Sequence, residues 1–189
     1  EGRIVGKEMV RFCQDNAGYQ PAFKDDISEI AAQDYQTDTN YLEHKDKTTA
    51  EDINPNYILP RMFQMRLQKA MDEYVAGTST YYTTNEKMLE IGLHLLDMLK
   101  EDSEHMRAKD LHELLRAWEN YHRLRTAEVH LRHIRFREET RYPGFFYRAD
   151  FPDLDEENWH CFVNSRMDPD TGEWNLMKRD WAGLVDHGH

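Results

Sequence analysis

The chain has 189 residues, 32% of them charged, and a net charge of −12 at neutral pH. That length suits one domain, or one domain with an appendage. Phosphate neutralisation requires a basic surface, so the acidic balance argues against general nucleic-acid binding, and no apolar run approaches the length of a membrane span.

Residues 2–15 read as a helix whose apolar positions, Ile4, Val5, Met9, Val10, Phe12 and Cys13, cover more than one face. Such a helix requires burial on several sides, and little else in the chain supplies it. There is no initiator Met, so the expectation is a processed chain or a segment of something longer. A helix is expected over 22–34 from Phe23, Ile27, Ile30 and Ala31, followed by a polar surface excursion over 36–54 and a turn at Asn54-Pro55-Asn56.

Pro60 suits a first helical turn. Met62, Phe63, Met65, Leu67, Ala70, Met71, Tyr74 and Val75 continue that helix to Gly77. Thr78 to Thr84 is a β-prone connection. Asn85 is a cap candidate for the most apolar helix, 86–101. Asp110 and Glu113 have capping-box spacing at the head of a helix over 110–139, in which Leu111, Leu114, Leu115, Trp118, Tyr121, Leu124, Leu131 and Ile134 recur at three- and four-residue steps. Arg116, Arg123, Arg125, Arg132, Arg135 and Arg137 lie between them, interleaved with Glu113, Glu119 and Glu128, as a solvated or partner-facing stripe. The expected fold is mostly α: an antiparallel bundle of three main helices with an irregular C-terminal extension. Turn chemistry at 168–172, flanked by 161–165 and 173–177, makes that extension partly hairpin-like, with a frayed tail at 186–189.

Cys13 and Cys161, with no CxxC, are expected to be reduced, buried thiols. Glu119-x-x-His122 and Glu157-x-x-His160 have the spacing of di-iron carboxylate ligands. The further carboxylates such a site requires are missing from the pattern, so no metal is assigned. His130 and His133 read as polar-face histidines. Ser165 has no nucleophile context, and no Gly-rich nucleotide fingerprint is present. The strongest candidate is the crowded corner formed by Arg137, Glu138, Glu139, Arg141, Arg148 and Asp150. Its arginines suit an anion clamp, but the neighbouring acids, Asp153 included, nearly balance them. The favoured reading is therefore a structural ion-pair corner locking the long helix to the C-terminal segment. No catalytic residue is assigned.

Arg137-Glu138-Glu139-Thr140-Arg141, then Arg148-Ala149-Asp150-Phe151-Pro152 and Trp159, resembles the C-terminal helical domain of the succinate dehydrogenase and fumarate reductase flavoproteins. Tyr142 to Tyr147, Trp118 to Leu124, Glu157 to Ser165, Asn54 to Ile58 and Leu89 to Leu93 more closely resemble the α subunit of the dissimilatory adenylylsulfate (APS) reductases. The resemblance spans nearly the whole chain and is loosest over 19–52. It implies a cytoplasmic oxidoreductase that interconverts adenosine 5'-phosphosulfate with AMP and sulfite. FAD would lie in the parent α subunit and [4Fe–4S] clusters in a β partner, with no cofactor in this segment. Glu1 and Gly2 would be flavin-adjacent. The implied organisation is 1–18 as the last helix of an FAD-binding domain, 19–57 an acidic linker with one helix, 58–141 the bundle, and 142–189 an extension packed on it. The implied partners are the remainder of α and the iron–sulfur β subunit. The alternative is a free-standing helical interaction module without catalytic activity.

Overall fold

The computed structural model describes residues 2–20, 28, 31–32, 35–45, 57–141, 145–168 and 170–180. The helix expected over 22–34, the Asn54–Asn56 turn, Glu1 and the 186–189 tail lie wholly or largely outside them. By contacts the chain divides into two units, Glu1–Gln36 and Thr37–His189.

In the first unit, α1 (Gly2–Asp15) is helical but has no buried residue. Ile4 and Phe12 are each 68% exposed. Cys13 is exposed as well, which corrects the expectation of a buried thiol; Cys161 is half-buried, and both are free.

The expected three-helix bundle is corrected in the second unit. Counting α1, the described residues form a mostly-α structure with six helices and two small sheets. The helices beyond α1 are α2 (Gln36–His44), α3 (Pro60–Tyr74), α4 (Glu86–Ser103), α5 (Leu111–Phe136) and α6 (Glu156–Trp159). Strands β1 (Thr83–Thr84) and β2 (Tyr147–Arg148) pair in parallel, and β3 (Cys161–Met167) and β4 (Trp174–Asp180) pair antiparallel. Helix α2 falls in the stretch expected to be a surface excursion. Its residues have weak helical propensity and little periodicity, so long-range contacts hold it: the Trp118 indole donates to Asp38 at 3.1 Å, and His44 bonds the Tyr57 hydroxyl at 3.2 Å.

Helices α3, α4 and α5 share one core. Phe63, Leu67 and Ala70 meet Leu89, Leu96 and Leu99, and Ala117, Leu124, Ala127, Leu131 and Ile134 close it. The three- and four-residue steps put each set on one helical stripe. Gly92 lets α4 and α5 approach closely, since an added Cβ would sit 2.9 Å from Leu131 Cδ1. Both sequence-readable caps form. Asn85 accepts from the Met88 N–H at 3.0 Å, and Asp110 from the Glu113 N–H at 2.8 Å. Asn120, fully buried, donates to the Pro60 carbonyl at 2.6 Å and so ties α5 to the first turn of α3.

The α3–α4 connection is unusual. Ala76, Tyr81 and Tyr82 all have left-handed backbones, with φ of 56°, 51° and 61°. Each costs a non-glycine residue about 1–2 kcal/mol. Asp72 holds the loop by accepting from the Ser79 N–H and the Thr78 hydroxyl, both at 3.1 Å. Gly77 lies so close to the Asp72 backbone that no side chain fits there. The loop then feeds β1, whose two residues are too few to show a periodic signal.

The described residues of the C-terminal extension form regular elements, α6 and the β3–β4 hairpin. Asp155 caps α6 through the Asn158 N–H at 2.9 Å. The β3–β4 register runs from Cys161 opposite Asp180 to Met167 opposite Trp174. Asp168 closes the hairpin by accepting from the Asp170 and Thr171 N–H groups, and Gly172 takes a positive φ of 71°. No described helix is long and apolar enough to cross a membrane.

Candidate functional site

The corner begins where α5 ends. Arg137 leaves the helix with an extended backbone, so the last carbonyls of α5 lack helical partners. Arg148, brought back by the β1–β2 pairing and fully buried, supplies them. Its Nη1 donates to the carbonyls of Ile134 (2.8 Å), Arg135 (3.0 Å) and Arg137 (3.2 Å). Its Nε and Nη2 grip Asp150 in a bidentate pair at 2.9 and 2.7 Å, and Nη2 lies 3.5 Å from Glu86. Its guanidinium carbon stands 5.0 Å from the centre of the Phe151 ring.

Asp150 in turn accepts from the Glu86 N–H at 2.9 Å, at the start of α4. One carboxylate therefore joins the positive end of α4 to the guanidinium that caps the negative end of α5. Arg148 holds the Asp150 carboxyl below its ordinary range; burial opposes this, and the Glu86 N–H adds to it.

Glu139, also fully buried, forms a second node. It accepts from Arg137 Nη1 at 2.5 Å, from Arg141 Nε and Nη2 at 2.6 and 3.1 Å, and from the Asp155 N–H at 3.0 Å. Burial pushes its carboxyl up. The bonds from Arg141, Asp155 and Arg137 together outweigh burial and hold it below the usual value. Arg141 also reaches Glu156 at 2.9 Å. Arg137 donates to the Trp159 and Cys161 carbonyls at 2.9 Å each and lies over the Trp159 ring. The end of the long helix and the cap of α6 thus meet on one buried carboxylate, and Arg137 carries the link on to β3.

Arg137, Glu139, Arg141, Arg148 and Asp150 therefore come together in two linked clusters, while Glu138 points outward and is exposed. The sequence reading missed three contributors. The Thr140 hydroxyl accepts from the Arg148 N–H at 3.0 Å and donates to the Phe151 carbonyl at 2.9 Å. Glu86 lies more than 60 residues upstream, with nothing local to announce it, and Trp159 lends its ring and its carbonyl. Asp153 contributes its backbone carbonyl, which accepts from the Thr140 N–H at 3.1 Å.

Beside the corner lies a cleft of about 510 Å³, lined by His130, His133, Arg137, Arg141, Phe146 and Trp159 among others. Burial lowers the pKa of both histidines, and for His133 the charges of His130 and Arg137 add to the effect. His133 Nε2 is buried without a hydrogen-bond partner.

Three of the four residues in the two Glu-x-x-His pairs are otherwise engaged. Glu119 is held by Arg116 and Arg123 at 2.9 and 3.1 Å, and His122 stacks on Trp118. His160 pairs with Glu156 at 2.7 Å. Among the described residues no group of three or more His, Cys, Asp or Glu is placed to hold a metal ion. The arginine stripe on α5 is largely paired within the chain: Arg132 with the buried Glu128 at 2.7 Å, Arg135 with Glu86 at 2.6 Å, and Arg125 with the Tyr121 hydroxyl at 2.9 Å.

The arrangement fits known proteins. The family model for the fumarate reductase flavoprotein C-terminus matches residues 64–182. The adenylylsulfate reductase subunit alpha of Megalodesulfovibrio gigas is 49% identical over 185 residues, which is 98% of this chain and 28% of that protein. The solved adenylylsulfate reductase of Archaeoglobus fulgidus superposes with a TM-score of 0.83 at 47% identity, covering 95% of this chain and 28% of that one. A solved adenosine-5-phosphosulfate reductase holding sulfite as a covalent adduct matches equally well. The chain thus spans about 28% of the length of these relatives. It belongs to the fumarate reductase flavoprotein C-terminal family, and within that family it corresponds to the C-terminal portion of adenylylsulfate reductase α subunits.

Proposed function

We propose that this chain is the C-terminal helical segment of a cytoplasmic flavoprotein α subunit that interconverts adenosine 5'-phosphosulfate with AMP and sulfite, and that its own contribution is structural and subunit-contacting. The observation that carries the reading is 49% identity to an adenylylsulfate reductase α subunit along nearly the whole chain. The sulfite adduct held by one similar structure agrees with it.

The residues present do not fit the cofactors of such an enzyme. A [4Fe–4S] cluster takes four thiolates, and the chain has two cysteines. A flavin dinucleotide takes a Gly-rich turn between a strand and a helix, and no such motif occurs. On this reading, which the likeness to adenylylsulfate reductases supports, FAD lies in the rest of α and the clusters in an iron–sulfur β subunit.

The chain's own residues make a scaffold. Arg148 and Asp150 clamp α4 to α5, and Glu139 fixes α6 and the hairpin to the end of α5. Helix α1 offers an aliphatic face suited to the remainder of the α subunit, with Gly2 toward the flavin.

The test is the intact mass and visible spectrum of the natural protein containing this sequence, with its sulfite- and AMP-dependent activity. A subunit far heavier than 22.6 kDa, with flavin absorption and an iron–sulfur companion, is expected. A colourless protein at the mass of this chain would leave a helical module and sink the reading.

A further inference from the structure

We draw no further inference here: the strongest candidate, the cleft lined by His130, His133, Arg137 and Arg141 beside the ion-pair corner, is an open face of a chain that spans about 28% of its relatives' length, and nothing in the structure shows what covers it.

Discussion

Replacing Arg148 isolates the clamp between α4 and α5. The guanidinium is hydrogen-bonded on all three nitrogens: Nε to Asp150, Nη1 to three carbonyls at the end of α5, and Nη2 to Asp150, with Glu86 a further 3.5 Å charge neighbour of Nη2. Arg148→Met keeps the volume and removes every donor. It strands the helix-end carbonyls and deprives Asp150 of its counter-charge. Breaking a buried pair from one side costs about 3–5 kcal/mol, and Asp150, partly reached by water, puts the cost toward the lower end. Arg148→Lys keeps the charge, but a single ammonium cannot face both Asp150 and the carbonyls. Leaving one or two buried acceptors unpaired at about 1–3 kcal/mol each gives a loss of about 2–3 kcal/mol. The assay is hydrogen exchange at peptides covering the last turns of α5 and the first turn of α4, which reads local opening whatever the rest of the protein does. A double-mutant cycle with Asp150→Asn completes it and should show a coupling of about 2 kcal/mol. Costs below about 1 kcal/mol for Arg148→Met, or additivity with Asp150→Asn, would refute the clamp.

Three more predictions rest on the same geometry. Glu139→Gln should destabilise by about 3 kcal/mol, because Arg137 and Arg141 lose their buried counter-charge, whereas Glu138→Gln next door should change stability by under about 0.5 kcal/mol; paired urea titrations decide, and equal effects would contradict the two placements. Glu139 and Asp150 have folded pKa values below their ordinary ones, so the stability they contribute is present above about pH 4 and lost as pH falls through the folded values. His133, whose folded pKa is also lowered, adds a loss that starts below about pH 6.5. A Trp fluorescence titration should show both limbs, with the upper one smaller in His133→Phe, where His130 alone remains to supply it, and the lower one shallower in Glu139→Gln. Gly77→Ala should cost at least about 2 kcal/mol, because its Cβ would fall inside the Asp72 backbone, which is not a flexible side-chain tip; a thermal midpoint unchanged from wild type would show that the loop relaxes instead.

What the sequence made legible follows the range of the forces involved. Helices α3, α4 and α5 announce themselves because the burial of Phe63, Leu96 or Leu131 recurs with the helical period, and Asn85 and Asp110 cap their own chain three residues on. Helix α2 does not, since QTDTNYLEH has almost no apolar rhythm and is held from Trp118, 80 residues away. The β1–β2 pair is two residues long and joins segments over 60 residues apart, so neither strand has a pattern to read. In the corner, the mix of arginine and acid was visible, but the division of labour was not. Glu138 and Glu139 are adjacent, equal in chemistry and opposite in burial, and only the turn after Phe136 decides which faces inward. Cys13 has apolar neighbours in sequence, which suggested burial, yet α1 has no buried residue at all.

The return of Arg148 to the end of α5 also sets an order of events during synthesis. Helices α4 and α5 are complete once residue 136 has been made, yet the carbonyls of Ile134 and Arg135 and the N–H of Glu86 find their partners only when residues 148 and 150 follow. At about 5–20 residues per second the wait is on the order of a second, and the ribosome exit path lengthens it. Over that interval the helix pair is held by its aliphatic seam alone, with both charged ends open to water. A nascent chain arrested before residue 148 should therefore hold α4 and α5 loosely, and one arrested well beyond it should resist proteolysis at their junction.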